Sequence, residues 1–258
     1  MIYEVSGKDV IMGIFSIKNK NVLISGASGD IGAALSLVFA RNGANLALLG
    51  HSNMETLKTH AFELRKNFSV NVFCRQTDIA DPVSVRNSVS DISDNFGKID
   101  ILINNAGISF FGLDQDVTPE TWRKICDVNL SGTMYLCREL IPSMLSGGGR
   151  IINVSSMWGN LGASCEAAYS ASKGGINAYT RALAKELAPS RIPVNAVALG
   201  AIDTKMNARL SPEEKAEFEE SIPYRRMATP EEAAEMIFLI ASAPDYLTGQ
   251  VIGFDGAF

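Results

Sequence analysis

Residues 21–41 read Asn-Val-Leu-Ile-Ser-Gly-Ala-Ser-Gly-Asp-Ile-Gly-Ala-Ala-Leu-Ser-Leu-Val-Phe-Ala-Arg. A short apolar run over 21–25 stops at the turn Ser25-Gly26-Ala27-Ser28-Gly29-Asp30-Ile31-Gly32, and a helical pattern follows over 33–41. Glycine permits a tight turn and a close approach of backbone. The N–H groups and positive dipole end of a helix N-terminus suit a pyrophosphate. Strand, glycine turn and helix in that order form the first step of a nucleotide-binding sheet. Glycines also serve plain turns, so the weight of this reading depends on the rest of the chain.

Outward from this unit the pattern repeats. Apolar runs at 45–49, 71–74, 99–103, 150–154, 194–198 and 251–254 alternate with longer helical stretches, the signature of βαβ units. The runs are almost wholly apolar, as in strands buried on both faces. The fold class expected is α/β: a single domain over 15–258, a doubly wound seven-stranded parallel sheet with helices on both faces. Residues 1–14 read as an N-terminal extension with no evident function. Glu4 and Asp9 stand where a signal peptide would be basic. The apolar run 10–17 is too short to cross a bilayer, which takes about 20 residues.

Composition narrows the function classes. The 258 residues carry a net charge of -5 and no basic block, which argues against nucleic acid. Cys74, Cys126, Cys137 and Cys165 are scattered, and only His51 and His60 could join them; neither a metal site nor a disulfide framework is suggested, and a reduced cytoplasmic protein is expected.

A second stretch bears on chemistry. Ser155 to Lys173 contains Tyr169 and Lys173 four residues apart in a run of helix formers, so a helix stacks them on one face. A neighbouring ammonium favours the phenolate and is expected to pull the tyrosine down from about 10 toward neutrality. Tyr169 then exchanges a proton with a carbonyl or alcohol oxygen. Ser156, just past the apolar run 151–154, is placed at a strand's carboxyl end, where its hydroxyl can hold that oxygen. A lone Tyr-x-x-x-Lys is usually a surface pair.

Taken with the glycine turn, Asn104-Asn105-Ala106-Gly107, Asn129 and Ser156 in one order, the chain resembles the short-chain dehydrogenase/reductase family, and so a Rossmann fold, over essentially 15–258. The resemblance implies that Gly26, Ser28, Ile31 and Gly32 line the phosphates and ribose of a nicotinamide dinucleotide. It gives Asp78 and Ile79 to the adenine, and Asn105, Ala106 and Gly107 to the adenosine side. Gly200, Ile202 and Thr204 fall to the nicotinamide. Tyr169 is implied as acid/base, Lys173 as ribose ligand, Ser156 as carbonyl holder and Asn129 as support for a water relay; no metal is needed. Two positions depart from the pattern. Asp30, which falls among the implied cofactor-binding positions, replaces a glycine and is expected to cap the helix and face solvent, and Leu199 replaces a proline and is expected to loosen its loop.

The second strand ends Leu48-Leu49-Gly50-His51-Ser52-Asn53 without an acid. An acid there would bind the ribose hydroxyls of NAD. Its absence favours NADP(H), held by His51 and Ser52, with NAD(H) the alternative.

Among family members the chain resembles 3-oxoacyl-[acyl-carrier-protein] reductases in 222–227 and 246–250, although 144–149 lacks their basic residues. In 155–159, 162–166 and 200–204 it is similar to the elongation factor P 5-aminopentanone reductases, which act on a modified lysine. Glu166 is then expected to meet an amino-bearing substrate and Trp158 to wall it; the alternatives are a helix-end carboxylate and a packing residue. The substrate is a small-molecule or carrier- or protein-bound ketone. Segment 203–224 resembles a lid, and the tail 253–258 resembles those that pack across a homotetramer interface. An NAD-dependent alcohol, sugar or steroid dehydrogenase, and a scaffold that binds dinucleotide without turnover, are the competing readings.

Overall fold

The computed structural model describes residues 15–207 and 211–258; the extension 1–14 and Leu210 of the lid lie outside the described residues. Seven strands form one parallel sheet: β1 (Asn21–Ile24), β2 (Asn45–Gly50), β3 (Val72–Gln76), β4 (Ile101–Asn104), β5 (Arg150–Ser156), β6 (Val194–Leu199) and β7 (Val251–Phe254), in the order β3-β2-β1-β4-β5-β6-β7. Between them run α1 (Asp30–Arg41), α2 (Met54–Phe68), α3 (Pro82–Asn95), α4 (Pro119–Cys126), α5 (Gly132–Gly147), α6 (Trp158–Leu161), α7 (Ala167–Leu187), α8 (Pro212–Ser221) and α9 (Pro230–Ser242).

Alternate residues of each strand serve opposite layers. Val22, Ile24, Ile101, Ile103, Ile152 and Val154 pack with α1, α2 and α9. Leu23, Leu102 and Ile151 pack with α3, α5 and α7. This two-sided burial is why the runs lack polar alternation. The strand ends fall within two residues of their sequence expectation, β7 matching it at both ends, and α1 starts at Asp30 rather than 33.

Chain order reverses between β1 and β4, which are neighbours in the sheet. The loops after these strands turn to opposite sides and open a crevice at the carboxyl ends, the usual ligand position in such sheets. Asn105 spans the crevice floor: its Nδ2 donates to the carbonyls of Ser25 and Gly26 at 3.0 and 3.2 Å. Among the described residues, no helix is long and apolar enough to cross a membrane.

Candidate active site

Among the described residues, four helices open on a proline behind a capping side chain: α3 on Asp81, α4 on Thr118, α8 on Ser211 and α9 on Thr229. At the crevice, α1 does not. Its cap is Gly29, with no side-chain bond, so the N–H groups of its first turn point outward without an intrahelical partner. Gly26 has φ +65°, and a Cβ on it would stand 2.7 Å from Ala106 Cα; one on Gly32 would stand 2.2 Å from the Gly26 carbonyl. The turn is therefore packed as tightly as glycine allows and presents backbone donors, a chemistry that fits a dinucleotide's phosphates.

The other wall of the crevice is β5 and α7. Tyr169 lies in the first turn of α7 and Lys173 one turn on, with Nζ 5.7 Å from the phenol ring centroid. Lys173 is buried and donates to the Val154 carbonyl at 2.8 Å. Ser156 ends β5; its hydroxyl accepts from the Trp158 N–H at 3.2 Å and hydrogen-bonds the phenol. A cavity of about 100 Å³ is lined by Ile31, Asn105, Gly107, Ser156, Tyr169, Lys173, Gly200, Ile202, Thr204, Met206 and Asn207 among others. Ser156, Tyr169 and Lys173 thus share one cleft with Ile31, Asn105, Gly107, Gly200, Ile202 and Thr204, while Gly26, Ser28, Gly32, Ala106, Asn129, His51, Ser52, Asp78 and Ile79 do not line it.

Asn129 stands behind them in a π-helical turn, Asp127–Ser131. Its amide bridges the Ile108 backbone, accepting from N–H at 2.8 Å and donating to C=O at 2.9 Å, and donates to Ser172 Oγ at 3.0 Å. A Cβ on Gly107 would lie 3.4 Å from both Asn129 Oδ1 and Lys173 Nζ, so glycine brings this backbone up to both. Such turns collect at functional sites, but no residue type announces one in sequence.

Several expectations are corrected. Tyr169 is not pulled down; enclosure by protein pushes its phenol up to about 12, the Ser156 hydroxyl opposing and the Glu166 charge adding to the rise. Burial takes Lys173 down to about 8. Asp30 is not a cap. It is the first residue of α1, and its Oδ2 accepts from the Lys205 N–H at 2.8 Å. Leu199 ends β6 rather than lying in the loop: it pairs in register with Ser156 and Phe254, and its carbonyl accepts from the Met157 N–H at 2.8 Å. The Ile79 side chain is buried against Gly132 rather than turned to the crevice. Glu166 occupies the N-cap position of α7 without capping it.

The tail makes ring contacts within its own chain. Phe258 meets the Trp158 ring edge-on at 5.4 Å and Phe218 of α8 at 6.5 Å, all within one chain. Trp158 is thereby a packing partner of the tail. At the far end of the crevice, His51 is exposed, its Nδ1 3.1 Å from Ser52 Oγ and its Nε2 4.0 Å from Asp78 Oδ2. The end of β2 holds no acid, but one from the end of β3 stands beside it.

A short chain dehydrogenase family model matches residues 20–215. The chain is 39% identical over 242 residues to the uncharacterized oxidoreductase YmfI of Bacillus subtilis, covering 93% of this chain and 99% of that one. It is 36% identical over 244 residues to the 3-oxoacyl-[acyl-carrier-protein] reductase FabG of Thermotoga maritima, covering 93% and 98%. Among solved structures, that of gox2181 superposes with a TM-score of 0.87 at 30% identity, covering 93% of this chain and 96% of that one. A Serratia marcescens short-chain dehydrogenase/reductase mutant gives 0.87 at 26%, covering 94% and 98%.

Proposed function

The chain belongs to the short-chain dehydrogenase family, an NAD(P)-dependent oxidoreductase by that membership, and from this premise we propose that it is an NADP(H)-dependent reductase of ketones. The observation that carries the reading is the convergence of Ser156, Tyr169 and Lys173 on the cleft that begins at the uncapped N-terminus of α1.

When bound, the dinucleotide supplies the hydride. The residues of the chain do the rest. Ser156 donates to the carbonyl oxygen and fixes it beside Tyr169. A phenol held up at about 12 keeps its proton at neutral pH and gives it to the oxygen as negative charge develops there. Lys173, one turn away, is in reach of a ribose and steadies the phenolate that forms. Asn129 holds the Ile108 backbone behind Lys173 and offers the path by which the proton is replaced. The preference for NADP(H) is supported by the end of β2, where His51 and Ser52 are donors. Asp78 beside His51 opposes it, and NAD(H) is the alternative.

The substrate class is a ketone on a carrier or protein. Likeness to the 3-oxoacyl-[acyl-carrier-protein] reductases supports a thioester. The carboxylate of Glu166, near enough to raise the Tyr169 phenol, favours an amino-bearing ketone such as a modified lysine. A cytoplasmic homotetramer is part of the proposal.

The test is NADPH oxidation with β-ketoacyl thioesters, small ketones and a protein-borne amino-ketone, in wild type and Tyr169→Phe. Loss of about a hundredfold or more in kcat is expected for the variant. Equal turnover would sink Tyr169 as the acid. Tighter binding of NADH than NADPH would overturn the cofactor assignment.

A further inference from the structure

We propose that Asp30 is a positioning residue that ties the turn over residues 204–207 across the cleft, and that this tie sets how fast the dinucleotide leaves. The proposal rests on the reductase reading. Asp30 begins α1 and its neighbour Ile31 lines the cleft. Opposite, Thr204, Met206 and Asn207 line it from the turn that Lys205 opens. Asp30 joins the two walls: Oδ2 accepts the Lys205 backbone N–H at 2.8 Å, and Oδ1 stands 3.8 Å from the Lys205 ammonium.

The two contacts are unequal. The Lys205 side chain is 92% exposed, and so solvated a pair contributes little. The backbone bond is charge-assisted and its acceptor is 29% exposed. The turn behind it is braced, with the Asn207 N–H donating to the Thr204 carbonyl at 2.9 Å and Asn207 Nδ2 to the Ile202 carbonyl at 2.8 Å. A hold on the Lys205 N–H therefore holds every residue the turn puts into the cleft. It also turns the carboxylate toward Lys205, which reduces the conflict between a negative side chain and phosphates at the same helix end. A dinucleotide lodged between α1 and this turn departs when the two part.

Three variants separate the tie from simple repulsion. Asp30→Ala removes acceptor and charge, Asp30→Asn keeps an acceptor without the charge, and Lys205→Ala keeps the backbone N–H without the ammonium. In stopped-flow fluorescence, Asp30→Ala is expected to release NADPH about tenfold faster, Asp30→Asn to recover most of the wild-type rate, and Lys205→Ala to stay within about twofold. In the cofactor-free protein, hydrogen exchange at the Lys205 amide is expected to speed up about tenfold in Asp30→Ala alone. Slower release in both Asp30 variants would mean that the carboxylate only repels phosphate and would overturn the proposal. So would unchanged exchange at Lys205. If the wild type fails to bind NADPH, the reductase reading falls, and the exchange result by itself decides whether the tie exists.

Discussion

An ammonium enclosed by protein lacks the water that stabilises its charge, and Lys173 loses its proton near 8 rather than 10.5. Between those values the unfolded chain holds a proton that the folded chain has shed. Stability attributable to this residue therefore rises with pH through that window and is lowest below about 8, where burial of the charge is fully opposed. The span corresponds to something on the order of 3 kcal/mol. Comparing wild type with Lys173→Met by differential scanning fluorimetry at pH 7 and pH 10 isolates it. The difference in Tm, wild type minus variant, is expected to increase by roughly 5–10 °C toward pH 10; a difference that does not move with pH would show that the ammonium is not desolvated. Tyr169 answers to the same cause, since the loss of water that lowers the lysine raises the phenol. The sequence places the two residues on one face and near the end of β5, but the 105–108 loop that closes over Lys173 is far away along the chain.

At the scale of elements, α1 is fastened to β1 by missing side chains. A Cβ on Gly32 would meet the Gly26 carbonyl at 2.2 Å and Ala27 Cα at 2.6 Å, both backbone, whereas one on Gly29 would find only the Gly26 carbonyl at 3.5 Å. Gly32→Ala must push the helix off its turn and is expected to destabilise the protein by about 1–3 kcal/mol or more, with loss of NADPH affinity in the same variant. Gly29→Ala is expected to cost no more than about 1 kcal/mol. Chemical denaturation and fluorescence titration of both variants check this, and equal stability of the two would refute the packing argument. The glycine turn, the seven strands and the Tyr169–Lys173 pair were legible because their signals are local: a period, a spacing, a glycine before a helix. The π-helical turn at Asn129 was not, as nothing in Asp127-Val-Asn-Leu-Ser distinguishes it from an α-helix. Nor was the partner of Asp30, which stands 175 residues away along the chain. Ile79 was read from its neighbour Asp78, and only the packing of Gly132 against it shows that its side chain points inward.

Across the whole molecule the tail poses a question about assembly. Residues 253–258 resemble tails that bridge subunits, and within one chain Phe258 lies on Trp158 and Phe218. An edge-to-face pair adds about 0.5–1.5 kcal/mol beyond burial, enough to hold a terminus in place without fixing a quaternary structure. Trp122 and Trp158 are the two tryptophans in the chain, so Trp122→Phe leaves Trp158 as the sole reporter. In that background, ending the chain at Ala257 is expected to red-shift tryptophan emission as water reaches the indole. Light scattering is expected to return the molar mass of the full-length protein, whatever that mass is. Should the mass fall with the deletion while the emission stays put, the tail acts between subunits and the intrachain packing is secondary. Should both hold steady, Phe258 contributes to neither. The cleft adds a further constraint, because the backbone N–H of Trp158 donates to Ser156 Oγ. A tail that anchors the indole also steadies the hydroxyl meant to hold the carbonyl, so the shortened chain is expected to show a higher KM for ketone with the Kd for NADPH unchanged.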